Sequence, residues 1–226
     1  MPSFTEKLTL LKAELVSQSE RVVDHTLRGV ESFFDNDREK ARDVIAGDGP
    51  IDRVDVEIEH ESIGLLMMGS TEEYAIRSVL TIVKVNNELE RIADCAVNVA
   101  EQVTCDEDSL EGVPPTFRVM ANSVIGMLRE ASTALRNEDV ALAERVLSYD
   151  DAVDQFKSEL SLDAQEKVAA GVFTARFAFR ILRVSKALER IADHCTNICE
   201  QVIYLQTGNI VRHLPGGWTK PAPPET

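Results

Sequence analysis

The sequence predicts an all-α protein made of two tandem three-helix bundles, six helices in total. Apolar residues recur at helical spacing along most of the chain, and strand-like alternation is scarce. Hydrophobic residues make up 44% of the 226 residues and aromatic residues only 5%, a balance that favours helices packed through aliphatic side chains. The segment LERIADCAVNVAEQV at 89–103 recurs 99 residues later as LERIADHCTNICEQV. A repeat on this scale indicates a duplicated bundle.

The first two helices have recognisable boundaries. A capping box at residues 3–6 predicts the start of the first helix, and the turn 35–37 predicts its end. The second helix is predicted to reach about Met68. Gly47 and Pro50 lie inside it, and proline lacks the amide hydrogen that the preceding turn needs. A kink or a break is therefore expected there.

The third helix and the linker complete the first half. Gly69 ends the second helix, and a capping box at residues 70–73 starts the third, which runs to about Thr104. The first repeat is therefore predicted to span residues 1–105. The segment DEDSLEGVPP at 106–115 is acidic and ends in two prolines, so it is predicted to be a linker.

The second half repeats this plan over residues 116–208. A fourth helix follows the two prolines, and Asn137 marks a turn. The fifth helix is predicted to end near Gly171, and the sixth to run to about Gln206. Residues 209–226 are rich in proline and are predicted to form a mobile C-terminal tail.

The charge and the hydropathy pattern restrict the partners. The formal net charge of −15 repels nucleic acid and anionic lipid, so basic protein surfaces and cations are the expected partners. No apolar run approaches the roughly 20 residues that span a bilayer. The N-terminus carries no pattern of a secretory signal. These features predict a cytoplasmic protein with no nucleic-acid partner and no direct membrane insertion.

The four cysteines, Cys95, Cys105, Cys195 and Cys199, lie near the ends of the echoed segments and do not form a disulfide framework. Reduced thiols are therefore expected. Cys195 and Cys199 are one helical turn apart beside His194, which suggests zinc as one interpretation. Small side chains that fill a helix interface are the preferred interpretation, because the chain has no CxxC pair and no second cluster of soft ligands.

The echoed helix carries two distinct faces. Twelve of the 22 positions from Ile82 to Val103 are identical to those from Ile181 to Val202. At about 100° per residue, one stripe is apolar and is expected to face the core. It consists of Leu89, Ile92, Ala93, Ala96, Ala100 and Val103. An oxygen-rich line lies within about 80° on another side. It consists of Glu90, Asp94, Asn98 and Glu101, which match Glu189, Asp193, Asn197 and Glu200.

This acidic line points to a bound cation or a basic partner. Like charges at positions i and i+4 destabilise a helix, and core packing alone would not retain them in both halves. A second acidic pair lies on the preceding helix of each half, as Asp48 with Asp52 and as Asp150 with Asp154. Antiparallel packing would bring four carboxylates together in each bundle, a ligand set that suits iron, manganese, zinc or magnesium. A solvated acidic surface without metal is the alternative.

Common catalytic patterns are absent from the sequence. The Glu57-x-x-His60 segment has no counterpart in the other half, whereas di-iron bundles use two such motifs. The sequence contains no P-loop, no HExxH and no GxSxG. His25 and His60 are predicted to be ordinary surface residues, and His213 belongs to the tail. No histidine has a recognisable catalytic companion, so the chain is not expected to be an enzyme.

Two segments resemble the PhoU family of phosphate-signalling regulators. ERIADCAVNVAE at 90–101 and ERIADHCTNICE at 189–200 match its repeated motif, and Gly208 with Arg212-His213 matches its closing motif. The resemblance implies a PhoU-like internal repeat of three-helix bundles and surface metal clusters held by paired acidic motifs. The implied metal ligands are Asp48, Asp52, Glu90 and Asp94 in the first half, and Asp150, Asp154, Glu189 and Asp193 in the second. Gly49 and Pro50 interrupt the first pair, so the second site has the more regular helical spacing.

The resemblance also implies a role. PhoU-like proteins are negative regulators of phosphate uptake and phosphate-starvation signalling, and the implied partners are the phosphate ABC transporter ATPase subunit (PstB-like) and a sensor histidine kinase (PhoR-like). The implied cofactors are divalent or trivalent metal ions, among them iron clusters, with zinc, manganese and magnesium equally compatible with oxygen ligands. The alternatives are a metal-dependent phosphate-handling enzyme and a metal-free helical scaffold. The oligomeric state, including a homodimer, stays open.

Overall fold

The computed structural model describes residues 3–104 and 112–211, apart from the side chains of Asp150 and Asp151. These residues form seven helices and no strand. The helices are α1 (Phe4–Phe34), α2 (Arg38–Leu66), α3 (Glu73–Thr104), α4 (Pro115–Asn137), α5 (Val140–Leu147), α6 (Asp150–Ala169) and α7 (Ala175–Thr207). The predicted all-α fold of two three-helix bundles is confirmed, with α5 and α6 together in the place of the predicted fifth helix. Residues 106–111 of the predicted linker at 106–115 lie outside the described residues, and so does the predicted tail at 209–226 from residue 212 onwards.

The predicted capping box at the start of α1 is present. The backbone N–H of Ser3 donates to Oε2 of Glu6 at 2.7 Å, and the backbone N–H of Glu6 donates to Oγ of Ser3 at 3.3 Å. These bonds satisfy two of the amide groups that a helix start leaves unpaired. At the other end of α1, Asn36 turns the chain with a φ of 51°, and the side chain of Asp37 caps α2.

The sequence predicted a kink or a break inside the second helix, and the break is absent, because α2 is one continuous helix through Gly47 and Pro50. Pro50 removes only the hydrogen bond that the carbonyl of Ala46 would accept. Ala46 and Pro50 are both exposed, so water can satisfy that carbonyl. On the opposite side, Nε2 of Gln18 donates to the carbonyl of Ile51 at 2.9 Å and joins α1 to α2 at this level.

The corresponding helix of the second bundle is divided at Ser148 and Tyr149. The N–H groups of these two residues donate to the carbonyls of Arg145 and Val146, three residues back rather than four. The hydroxyl of Ser148 also donates to the carbonyl of Arg145 at 2.6 Å. Serine competes in this way with the regular helical bond, so α5 ends here and α6 begins at Asp150.

The two bundles share one core, and α3 packs against α7. Nζ of Lys84 lies 5.4 Å from the centroid of the Tyr204 ring, and Nδ2 of Asn197 donates to Glu88, so α3 and α7 run antiparallel. The predicted apolar stripe of α3 is buried throughout. Phe33 of α1 and Phe117 of α4 are fully buried with ring centroids 5.8 Å apart, which joins the bundles at a second point.

One contact between α3 and α7 is a cation over an aromatic ring, with Lys84 of α3 against Tyr204 of α7. A lysine within about 6 Å of a ring centroid is attracted by the ring face. Residue numbers that rise along α3 therefore pair with numbers that fall along α7, from Lys84 with Tyr204 to Glu88 with Asn197.

The cysteines and histidines complete the description of the core. Cys95, Cys195 and Cys199 are buried and free, in agreement with reduced thiols that fill helix interfaces, and Cys105 lies outside the described residues. Burial raises the pKa of the Cys199 thiol and so keeps it protonated.

His25 was predicted to be a surface residue, and this prediction is wrong. Its side chain is buried between α1 and α2, with its ring beside Gly47, and burial lowers its pKa. His60 is exposed as predicted, and His213 lies outside the described residues. Within the described part of the chain, no helix is long and apolar enough to cross a membrane.

Candidate metal centres

The first acidic cluster lies on the surface where α2 packs against α3. Nδ2 of Asn86 donates to the carbonyl of Asp55 at 2.9 Å and to its carboxylate at 2.6 Å, which joins the two helices. About two turns further along this α2–α3 seam, Asp48 of α2 comes close to Asp94 of α3. Burial raises the pKa of Asp48, and repulsion from Asp52 and Asp94 raises it further. The predicted acidic pairs of the first repeat are therefore neighbours in space.

Glu90 shares this electrostatic environment. Burial raises its pKa first, and Asp94, Asp55 and Asp52 add to the effect. Arg91 acts in the opposite direction, because its guanidinium lies 3.2 Å from Glu90 and 3.3 Å from Asp94. The cluster is thus partly neutralised at its outer edge.

Asp55 is a member of this cluster that the sequence analysis did not include. Burial raises its pKa, followed by repulsion from Glu59 and Asp52. The signal for it was present in the spacing, because residues 48, 52 and 55 fall on one side of a continuous helix. This spacing did not contribute to the prediction, because a kink or a break was expected at Pro50, between residues 48 and 52.

One oxygen of the first cluster lacks a partner. Oδ1 of Asp48 is buried and accepts no hydrogen bond from any described residue. A buried carboxylate oxygen without a donor is costly, and a cation supplies the missing interaction. This atom is the feature of the first cluster that best fits a bound metal ion.

The second acidic cluster lies between α6 and α7. Partial burial raises the pKa of Asp193, and repulsion from Glu189 and Asp154 raises it further, whereas His194 and Lys157 act in the opposite direction. These three carboxylates are therefore neighbours, as predicted for this half of the chain. Asp150 is the first residue of α6, and its side chain lies outside the described residues.

Lys157 distinguishes the second cluster from the first. Its ammonium group forms an ion pair with Glu189. It occupies the position that Asp55 holds in the first repeat, 102 residues earlier. The second cluster therefore contains a cation of its own, which offsets part of the repulsion that a metal ion would relieve.

The acidic clusters do not form a closed coordination sphere. Among residues 3–104 and 112–211, leaving out the side chains of Asp150 and Asp151, no group of three or more histidine, cysteine, aspartate or glutamate side chains is arranged to hold a metal ion. The carboxylates have the donor chemistry that hard cations prefer, but side-chain rotation is needed before three of them share one ion. The eight metal ligands therefore stay a prediction.

The residues of the predicted oxygen-rich line make different contacts on α3 and on α7. Nδ2 of Asn98 donates to the carbonyl of Asp94 within its own helix, at 2.8 Å. Nδ2 of Asn197 instead donates to Glu88 across the repeat interface, at 3.0 Å. Nδ1 of His194 also lies 2.6 Å from Glu88, so this histidine belongs to the interface between the repeats.

The helices and their acidic seams define a duplicated all-α protein with one carboxylate cluster in each half. The PhoU domain family model matches this chain twice, over residues 14–103 and 117–202. These matches cover more than half of the chain, which therefore belongs to the PhoU family.

Known proteins similar to this chain carry the same family name. It is 29% identical to the phosphate-specific transport system accessory protein PhoU homolog 1 of Thermotoga maritima, over 95% of this chain and 93% of that protein. It is 30% identical to the PhoU homolog of Pseudomonas aeruginosa, over 93% of this chain and 88% of that protein. The crystal structure of PhoU from Pseudomonas aeruginosa matches with a TM-score of 0.84 and 28% identity, over 92% of this chain and all of that one.

Proposed function

We propose that this chain is an accessory protein of phosphate transport that binds metal ions and acts as a negative regulator of phosphate-starvation signalling. The names of the similar proteins support the link to phosphate transport. The paired carboxylates on neighbouring helices of both repeats support cation binding. The protein acts as an adaptor, not as an enzyme, between the phosphate ABC transporter ATPase subunit (PstB-like) and a sensor histidine kinase (PhoR-like).

The unpartnered Oδ1 of Asp48 is the observation that carries the metal proposal. In the first repeat Asp48, Asp52, Glu90 and Asp94 would hold the ion. In the second repeat the ligands would be Asp150, Asp154, Glu189 and Asp193. A bound cation would neutralise the repulsion across each seam and join the two helices of that seam through shared carboxylate ligands.

Metal content of the purified full-length chain tests this proposal. Elemental analysis under native conditions compares the wild type with the double variants Asp48→Asn/Asp94→Asn and Glu189→Gln/Asp193→Asn. We expect each double variant to lose the metal of its own repeat. The matched control Glu57→Gln/Glu61→Gln removes two exposed carboxylates from α2 outside the cluster and should keep the wild-type content. Unchanged metal in both double variants would show that the assigned ligands are wrong.

The regulatory role requires a cellular measurement. A reporter of phosphate starvation is measured at high phosphate in cells that lack their own copy of the gene. We expect the wild-type chain to repress the reporter and the cluster variants to repress it less. Full repression by variants that carry no metal would separate regulation from metal binding.

A metal-free helical scaffold is the second candidate. Arg91 and Lys157 already pair with carboxylates of the two clusters, as basic side chains of a partner would. This candidate predicts that cluster variants without metal keep both their fold and their repression of the reporter. The metal-binding adaptor predicts that these variants lose repression while they remain helical by circular dichroism.

A further inference from the structure

An apolar patch lies at the end of the first bundle where α2 turns into α3. Ile63 and Leu66 belong to α2, Met67 follows directly, and Ile76 and Leu80 belong to α3. These side chains are between 39% and 83% exposed. Single exposed apolar side chains are common, but several of them gathered at one end of a bundle are typical of an interaction site.

The patch continues directly into the first acidic cluster. Residues spaced by three and four positions lie on one side of a helix. On α2 this side carries Asp48, Asp52, Asp55, Glu59, Ile63 and Leu66. On α3 it carries Ile76, Leu80, Val83, Asn87, Glu90 and Asp94. The bond between Asn86 and Asp55 and the repulsion between Asp48 and Asp94 show that the two sides are adjacent.

We propose that this α2–α3 face is a docking surface for an amphipathic helix of a partner protein, apolar at one end and basic at the other. The proposal extends the adaptor role proposed above and rests on it. The part of the face from Leu80 to Asp94 measures about 21 Å along α3, at 1.5 Å per residue. A bound helix of about four turns therefore covers both the apolar and the acidic half. Helix-in-groove recognition uses apolar anchors at this spacing.

Charge complementarity favours a basic helix as the occupant of the α2–α3 face. The acidic half presents six carboxylates, and among the described residues Arg91 is the only basic side chain that pairs with them. A second copy of the chain would bring a net charge of −15 and the same carboxylates to the interface. An anionic lipid surface is repelled for the same reason. A basic helix with apolar anchors meets neither obstacle.

The second repeat supplies a matched comparison on the same molecule. Its α6–α7 face carries an exposed Phe179 at the position of Leu80, and an exposed Leu162 lies on α6. Lys157 and Lys186 stand where the first repeat has Asp55 and Asn87. This face is therefore apolar but less acidic, and a basic helix is expected to bind it more weakly.

A peptide probe tests the proposal on the full-length chain in the presence of a chelator. The probe is a fluorescein-labelled peptide of about 15 residues, with leucine in one half and lysine in the other at helical spacing. Fluorescence anisotropy measures its affinity for the wild type and for Leu80→Asp, Ile63→Asp and Phe179→Asp. We expect Leu80→Asp and Ile63→Asp each to weaken binding at least about tenfold, and Phe179→Asp to change it less than about twofold.

Several results would overturn the proposal. The first is that Phe179→Asp weakens probe binding as much as Leu80→Asp does. The second is that neither Leu80→Asp nor Ile63→Asp changes the affinity for the probe. The third is that a peptide of the same composition in scrambled order binds as tightly as the probe. A change from dimer to monomer in sedimentation of Leu80→Asp would identify a second copy as the occupant. Circular dichroism confirms that each variant is folded, and Ile63 tests the same face from another helix.

The metal content of the same variants separates this proposal from the adaptor function. Leu80→Asp is expected to keep the wild-type metal, because its side chain lies in the apolar half of the face. A wild-type protein that binds the probe but no metal contradicts the proposed metal site and leaves the docking surface intact. A protein that binds metal but shows no preference for the ordered probe contradicts the docking surface alone.

Discussion

The two repeats carry corresponding carboxylates on differently built helices. In the first repeat α2 is continuous through Pro50. Among the described residues, Arg91 is the only basic side chain that pairs with the carboxylates between α2 and α3. In the second repeat the chain is divided at Ser148, and Lys157 pairs with Glu189 inside the seam. The comparison shows that duplication has kept the acidic positions while the backbone and the local charge have diverged. We therefore expect the first cluster to bind a cation more tightly.

The helices α2 and α6 also differ in how many of their side chains are buried. The buried residues of α2 are Ala41, Val44, Ile51, Ile58, Ser62 and Leu65. Among the described side chains of α6, the buried ones are Val153, Leu160 and Ala164. A helix with fewer buried apolar contacts opens at a lower free energy, so α6 is the part of the described fold that we expect to separate first.

The largest predicted effect compares two equivalent core positions. Ile58 and Leu160 are 102 residues apart in the repeat, and both are 1% exposed. Ile58→Ala should lower the free energy of unfolding by about 2–5 kcal/mol, the usual cost of such a truncation. Leu160→Ala should cost less, because α6 can separate without unfolding the shared core. Chemical denaturation followed by circular dichroism measures both, and an equal or larger cost for Leu160→Ala would contradict the difference between the helices.

Exchange of one charge between the repeats has the next largest effect. Asp55→Lys gives the first cluster the lysine of the second, and Lys157→Asp does the reverse. We expect Asp55→Lys to weaken metal binding by the first repeat about tenfold, or about 1.4 kcal/mol, and Lys157→Asp to strengthen binding by the second. Calorimetric titration of metal into each variant measures the change. Equal affinities in both variants and the wild type would remove the electrostatic basis of the comparison.

Neutralisation of Asp48 has the smallest predicted effect. Its raised pKa means that the folded protein binds the proton more tightly than the unfolded chain does. The charged carboxylate therefore destabilises the metal-free fold above its folded pKa, and this penalty disappears as the pH falls below the unfolded value. Asp48→Asn should stabilise metal-free protein by a few tenths of a kcal/mol at pH 7.

Thermal unfolding with a chelator, at neutral and at acidic pH, measures this effect of Asp48→Asn. The gain should vanish at acidic pH, where the wild-type carboxyl is protonated. The variant Glu57→Gln, on the same helix but outside the cluster, should show no comparable gain at pH 7. A destabilised Asp48→Asn protein would mean that the charged carboxylate has a favourable partner in the fold.

Local sequence signals predicted most of the helix boundaries and the faces of α3. The capping box at Ser3 and the apolar stripe of α3 depend on neighbouring residues alone, so the sequence suffices for them. The break considered at Pro50 is absent, because the effect of a proline depends on whether the carbonyl that it leaves unpaired can reach water. No glycine or proline lies at Ser148, so the sequence gives no local signal for the division of the helix there.

The parts of the site that the sequence did not predict depend on packing between helices. Lys157 becomes relevant only because α6 places it beside Glu189 of α7. Similarly, the contact of His194 with Glu88 joins residues 106 positions apart across the repeat interface. Periodicity identifies the side of a helix that a residue occupies, but it does not identify the neighbour that the residue meets there.

The most direct test of metal binding is a crystal structure of the metal-loaded protein with anomalous scattering recorded at the absorption edge of the metal. We predict an anomalous peak between α2 and α3, within about 2.0–2.6 Å of carboxylate oxygens of Asp48, Asp52, Glu90 or Asp94. Carboxylates of this seam that point separately into solvent, with no peak between them in protein loaded with metal, would contradict the account.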